Sequence, residues 1–321
     1  MTKEELVETL NKNLDNVFTV DGYKKILNRA NSLSGFDVIN RILIHMQFND
    51  AYDVKIIEEW ELKNRHVKSG SKPIYIIIPS YKIEYKDNIN GNIFNSRDTD
   101  LNLQELQKAI DKGLVTKIET VTGTNLQQVY DIRQTYSNGN NKYEVTKPVV
   151  NIKMMLGLYM AITSGKIEVS DKSEYDLDSN KLSIRRDSCK FEQYSIIAEA
   201  IAQFIVSQKL VNIAKSLSLD ILDWSEYEIQ LIKNSLQYSI LTLFRQDSDI
   251  DFSSVSHIQK EKLMSILNLV DLLILDVTYR VKFEGGLNAT NMTSHIERLN
   301  KSDALLSIME ANDILNKMKG A

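Results

Sequence analysis

IIAEAIAQFIV, residues 196–206, decides how the second half of the chain folds. Apolar side chains sit nearly all round its helical wheel, so it reads as a helix buried on every side. One charged residue interrupts it, Glu199, with Ala198 just before it and Ala202 one turn further on. Read alone, this is a core helix whose glutamate faces solvent or pairs with a base.

Outward from this segment, everything after Arg186 has helical spacing: 191–217, 225–246, 257–284 and 302–319. Before it, VVNIKMMLGLYMAITSG (149–165) is a helix ending at Gly165. KIEVS (166–170) and KLSIR (181–185) are short strands flanking the turn-like SDKSEYDLDSN. The first half mixes periods. Residues 3–14, 21–33 and 35–48 are amphipathic helices, and a helical turn at 56–62 carries Trp60. KPIYIIIP (72–79), ended by Pro79, and YKIEYK (81–86) are strands. LNLQELQKAIDKG is a short helix, and two further strands, TKIETV and QQVYDIRQTY, lie within 116–136. SNGNNKYEVTKP (137–148), rich in Asn and Gly, is the most linker-like stretch. The expected organisation is α+β: an N-terminal domain, 1–146, of mixed helices and antiparallel sheet, then a mainly helical domain, 147–321.

The 321 residues are 43% apolar and 26% charged, a globular composition with ample core. The single cysteine, Cys189, excludes an internal disulfide framework and fits a reducing cytoplasm. MTKEELVETL is acidic and amphipathic, unlike a signal peptide. No apolar run approaches the ~20 residues of a membrane span, so no membrane partner is expected. The net charge of −4 argues against a generic DNA-coating protein, and residues 1–146 carry 19 basic and 20 acidic side chains. Local distribution says more. Between Glu61 and Glu84 there is no acidic residue, while Lys63, Arg65, Lys68, Lys72 and Lys82 fall there with His66. Trp60, Tyr75, Tyr81 and Tyr85 surround this basic island. It is either a solvated turn or a single-strand binder, in which cations hold phosphates and rings stack on bases.

FDVINRILIHMQFNDAYDVKIIEEWELKNRHVKSGSKPIYIIIP, 36–79, resembles the N-terminal domain of ArdC-type antirestriction proteins through Gln47, Trp60, Arg65, Val67, Lys68, Gly70, Lys72 and Pro79. The family's later "VFD-I-x-QT" strand is matched by VYDIRQT, Val129 to Thr135. The resemblance implies a single-stranded-DNA-binding domain carried by plasmids, phages and conjugative elements, protecting incoming DNA from host nucleases. It implies also a second, zincin-like metallopeptidase domain. GKIEVS, KLSIRRD and Gln193 lead into the helix that in the family reads "L-x-H-E-x-x-H"; here those positions hold Ile196, Ala198, Glu199 and Ala202. The family's "E-x-Q-A" helix, source of the third ligand, resembles EYEIQLIKNSLQYSI (226–240), with Glu228 or Ile232 at the ligand place.

Zinc catalysis needs three protein ligands and an open position for water. With HExxH replaced by Ala198-Glu199-Ala200-Ile201-Ala202, and with His45, His66, His257 and His295 far along the chain, the domain is expected to be inactive, holding no metal and no cofactor. Cys189 has no histidine near it in sequence, and Gly285-Gly286 is a turn without the Lys-Ser/Thr of a phosphate loop. Two readings follow. In the first, the chain binds single-stranded DNA without catalysis, Trp60 and Tyr81 stacking and Lys63, Arg65, Lys68, Lys72 and Arg133 holding phosphate. Trp60 serves there as a stacking ring or as a core anchor. In the second, the chain binds a host defence or regulatory protein through an acidic surface that mimics phosphate.

Overall fold

The computed structural model describes residues 2–33, 35–96, 102–137 and 150–283. The expected 302–319 helix, His295, the Gly285-Gly286 turn and the expected boundary at 146 lie outside these described residues. In chain order the elements are α1 (Lys3–Val17), α2 (Val20–Ser32), α3 (Val38–Gln47), β1 (Val54–Lys55), α4 (Ile57–Glu61), β2 (Arg65–Val67), β3 (Ile74–Asp87), β4 (Ile93–Phe94), α5 (Leu103–Asp111), β5 (Val115–Asp131), a 3₁₀ turn (Ile132–Gln134) and β6 (Thr135–Ser137). Then come α6 (Ile152–Thr163), β7 (Lys166–Ser170), β8 (Glu174–Asp176), β9 (Lys181–Arg185), α7 (Lys190–Ser216), α8 (Glu226–Leu243), a second 3₁₀ turn (Ser253–His257) and α9 (Lys260–Phe283). The class is α+β as expected, mixed in the first part and mainly helical in the second.

The chain forms two compact units: Met1–Tyr75 together with Gln128–Ala321, and Ile76–Gln127. In the first, α7 is the central helix, contacting α6, α8 and α9. That position explains the opening segment. Ile197, Ala198, Ala200, Ile201, Ala202 and Ile205 are all buried, and alanines let neighbouring helices approach closely. Contrary to the sequence expectation, α7 is long and apolar enough to cross a membrane. Its apolarity is that of a helix enclosed by others, since ten of its side chains are buried within the protein. α2 and α3 pack on α8 and α9. Two buried polar contacts pin them: the Tyr23 and Ser235 hydroxyls share a hydrogen bond of 2.9 Å, and Arg41 pairs with Asp271. A three-stranded sheet in the order β7-β9-β8, β7–β9 parallel, completes this unit; β8 falls in a stretch expected to be only a turn. Gly165 opens β7 because a Cβ there would come within 2.3 Å of the Tyr159 hydroxyl.

The second unit holds β4, α5 and most of β3 and β5. α5 starts from a capping box in which Asn102 and Glu105 satisfy each other's backbone N–H. Its Leu106 joins Tyr85 and Val115 in a small core, with Phe94, Ala109 and Ile110 against it. β3 runs straight through Pro79, where the sequence predicted a break. Among the described residues β4 pairs with Tyr85 and Lys86 and does not reach Pro79, and a proline is tolerated where a strand side is an edge.

Candidate functional site

Both sequence motifs of the first half converge on one clasp in the first unit. Gln47, at the end of α3, faces the backbone of Tyr75 as a strand would. Its Nε2 donates to the Tyr75 carbonyl at 2.8 Å, and its Oε1 accepts from the Tyr75 N–H at 2.9 Å. Asp131 is fully buried, and its carboxylate accepts from the Tyr52 N–H (2.6 Å), the Arg133 N–H (3.0 Å) and Arg133 Nε (2.9 Å). Those charge-assisted bonds satisfy a carboxylate that burial would otherwise destabilise. Gln134 accepts from the Asp131 N–H at 2.8 Å and donates to the Lys72 carbonyl at 2.7 Å. VYDIRQT is therefore a structural knot.

The clasp presents a two-stranded ribbon, β2 antiparallel to β6, in the register Arg65↔Ser137, His66↔Tyr136 and Val67↔Thr135. Because strand side chains alternate, Arg65 and Thr135 share the inner face, and Thr135 is buried. Arg65 donates to the Thr135 hydroxyl (2.7 Å) and to its carbonyl (3.2 Å). His66 and Tyr136 fall on the outer face, their ring centroids 5.8 Å apart, and Tyr136 is 46% exposed. The ribbon continues into a tight turn, Ser71 N–H bonding the Lys68 carbonyl at 3.1 Å, with Gly70 at φ +79°. That is the conformation a type II turn demands of its third residue, and glycine adopts it without strain.

The proposed contact residues separate on this scaffold. Trp60 cannot stack on a base as it stands: it is 0% exposed, and its indole N–H donates to the Tyr130 carbonyl at 2.8 Å. Lys55 Nζ lies 4.8 Å from its ring centroid and Arg65 Cζ 6.0 Å. Burial, then the nearby Lys63 charge, push the Lys55 ammonium below its ordinary value. Trp60 is the core anchor, and Arg65 is occupied by backbone and hydroxyl oxygens rather than held out for phosphate. Arg133, though exposed, is engaged by Asp131, by Asp50 and by the Phe48 ring, 4.8 Å from its Cζ. Lys63, Lys68 and Lys72 are exposed. Lys68 Nζ donates to the Arg133 carbonyl at 2.7 Å, which holds the ammonium near the ribbon without neutralising it. Neither Lys68 nor Lys72 forms an ion pair among the described residues. Tyr81 is half-buried and belongs to the second unit, as does Lys82, which pairs with Glu84 at 2.9 Å. Tyr136 was missed by the sequence reading, although it directly follows the VYDIRQT motif. Its cross-strand partner His66 lies in the basic island.

At the positions that the sequence resemblance aligned with metal ligands, Ala198 and Ala202 of α7 are 0% and 1% exposed, methyl groups in packed core. Glu199 is half-buried and accepts from Gln203 Nε2 one turn on, at 2.9 Å. Of the alternatives for a third ligand, Ile232 is fully buried and apolar. Glu228 is committed elsewhere: it closes a capping box with Ser225, and its Oε1 lies 2.7 Å from Lys262 Nζ. Burial pushes its carboxyl up, but the Lys262 ammonium and the Ser225 donors outweigh that and leave it below the ordinary value of 4.5. Among the described residues no three His, Cys, Asp or Glu side chains gather as a metal-holding set. His257 ends a 3₁₀ turn rather than starting a helix, and Cys189 is exposed at the N-cap of α7.

Among solved structures, the chain is similar to the crystal structure of the antirestriction ArdC protein from the R388 plasmid in its metal-free form. The TM-score is 0.46 at 11% identity, covering 78% of this chain and 86% of that one. For the Mn(II)-bound form of the same protein the TM-score is 0.44 at 9% identity, covering 77% and 86%. No protein-family model and no curated protein sequence matches the chain.

Proposed function

We propose that this chain binds single-stranded DNA without cleaving it, as an antirestriction-type protein of a plasmid, phage or conjugative element that acts in the cytoplasm against host defence. Residues 1–146 carry the DNA-binding role and residues 147–321 serve as scaffold. One observation carries the reading. Among the described residues Lys68 and Lys72 are exposed cations without ion-pair partners, on a turn shaped by the Gln134 bond to the Lys72 carbonyl and by Gly70. Ammonium groups so placed bind phosphate by releasing counterions, which makes affinity fall with salt. The absence of catalysis rests on donor chemistry: the alanine methyls at 198 and 202 cannot ligate zinc, and Glu199 alone cannot activate a water that no metal holds.

The test is fluorescence anisotropy of wild type and the Lys68→Gln/Lys72→Gln double variant on a single-stranded oligonucleotide across a salt series. Each lost phosphate contact flattens the slope of log K against log salt by about 0.7, so the double variant loses about 1.4. Identical isotherms would remove the island as the site. No binding by wild type at low salt would instead favour the second reading, a surface for a host protein.

A further inference from the structure

We infer that the His66–Tyr136 ring pair on the outer face of the β2–β6 ribbon is a stacking platform for a nucleobase, an inference that rests on the single-strand reading above. Phosphate contacts alone do not distinguish a strand with bases from a bare polyanion; an accessible ring does. Tyr136 is 46% exposed, whereas Trp60 is fully buried. Its ring is not a loose surface tyrosine. It stands directly across from His66 in the ribbon register, tilted 48° to it at 5.8 Å between centroids. Stacking costs little entropy when the ring stands on an ordered support, and three contacts hold the ribbon that carries this one. Its neighbour Thr135 is buried and gripped by Arg65 at 2.7 Å. The Lys68 N–H bonds the Gln134 carbonyl at 2.8 Å, extending the ribbon by one rung. Lys68 Nζ bonds the Arg133 carbonyl, three residues before Tyr136 in the chain, so an ammonium is held on the same ribbon. Cation and ring on one short ribbon meet the two needs of a single strand, a hold on the backbone and a face for a base.

The experiment compares an oligo(dT) strand with an abasic strand of equal length, which keeps the phosphates and lacks the bases. Wild type, Tyr136→Ala and Tyr136→Phe are titrated at one salt concentration, with thermal melts to confirm folding. The platform predicts that wild type prefers oligo(dT) and that Tyr136→Ala weakens oligo(dT) binding by roughly 5- to 150-fold, the range for loss of one stacked base. Tyr136→Phe restores it, because stacking needs the ring and not the hydroxyl, and binding to the abasic strand stays unchanged. If Tyr136→Ala leaves oligo(dT) binding intact, or weakens both strands equally, the platform is wrong while single-strand binding stands. If wild type binds neither strand, the reading beneath it fails as well.

Discussion

Replacing Trp60 by phenylalanine separates the two roles open to that residue. The indole N–H donates to the Tyr130 carbonyl at 2.8 Å in a site with 0% exposure. Phenylalanine keeps an aromatic face for Lys55 and Arg65 but removes the donor. The Tyr130 carbonyl loses that donor in the interior, at a cost of about 1–3 kcal/mol. The smaller ring leaves a void worth on the order of 1 kcal/mol more. A total of about 2–4 kcal/mol lowers the melting midpoint by roughly 5–10 °C for a domain of this size. Circular dichroism melts supply that number, and anisotropy on a single-stranded oligonucleotide, well below both midpoints, supplies the affinity. The expected pair of results is a large loss of stability with affinity changed less than twofold. A variant that melts with wild type but binds tenfold more weakly would refute the core-anchor assignment and return Trp60 to the strand.

Glu228→Gln tests the capping and ion pair at the start of α8. Because the folded carboxyl lies below its ordinary value, the stability it adds is full above about pH 4.5 and is lost as pH falls through the folded value. The melting gap between wild type and variant should be open at pH 7 and close below pH 4.5; a gap that widens in acid reverses the sign and the assignment. Ala198→His/Ala202→His places imidazoles at the two α7 positions that the sequence resemblance aligned with zinc ligands. Since these positions are 0% and 1% exposed, overpacking should cost about 1–3 kcal/mol per site, and metal analysis should find well under one zinc per chain. One equivalent bound to a folded variant would mean that this face of α7 opens on a cleft.

The helices were legible because their signals are local. The 3.6-residue stripes of α1 to α3 and the nearly all-apolar wheel of IIAEAIAQFIV in α7 are each contained in one short window. What escaped is long-range. Nothing near Tyr23 or Arg41 announces Ser235 or Asp271, partners 212 and 230 residues away, yet those pairs join α2 and α3 to the C-terminal helices. β3 was expected to stop at Pro79, because whether a proline sits on an edge depends on where β4 ends. The basic island was visible as a charge pattern, but which of its cations are occupied was not. Arg65 is occupied because Thr135 folds back against it from 70 residues downstream. Tyr136 was overlooked for the same reason: its face is defined by its register with His66.

A polar motif near a basic island invites the inference that its residues touch the ligand, and the clasp points the other way. Gln47 and Gln134 spend their hydrogen-bonding groups on backbone, and Asp131 on backbone and the Arg133 guanidinium; groups so engaged specify geometry rather than contact. Arg65 makes the point most sharply. Its fork reaches the Thr135 hydroxyl and carbonyl at once, a task the single ammonium of lysine cannot reproduce. A substitution that keeps the charge at 65 would thus loosen β2 from β6 and disturb Tyr136 and Lys68 together. Loss of charge at 72 would leave the ribbon's hydrogen bonds in place, whereas at 68 it would also remove the Nζ bond to the Arg133 carbonyl. The same basic stretch therefore contains cations in different roles: Arg65 builds the ribbon, Lys72 is exposed, and Lys68 is both exposed and bonded to the ribbon. Charge counting along the sequence cannot tell them apart, because the difference lies in which oxygen each nitrogen has already found.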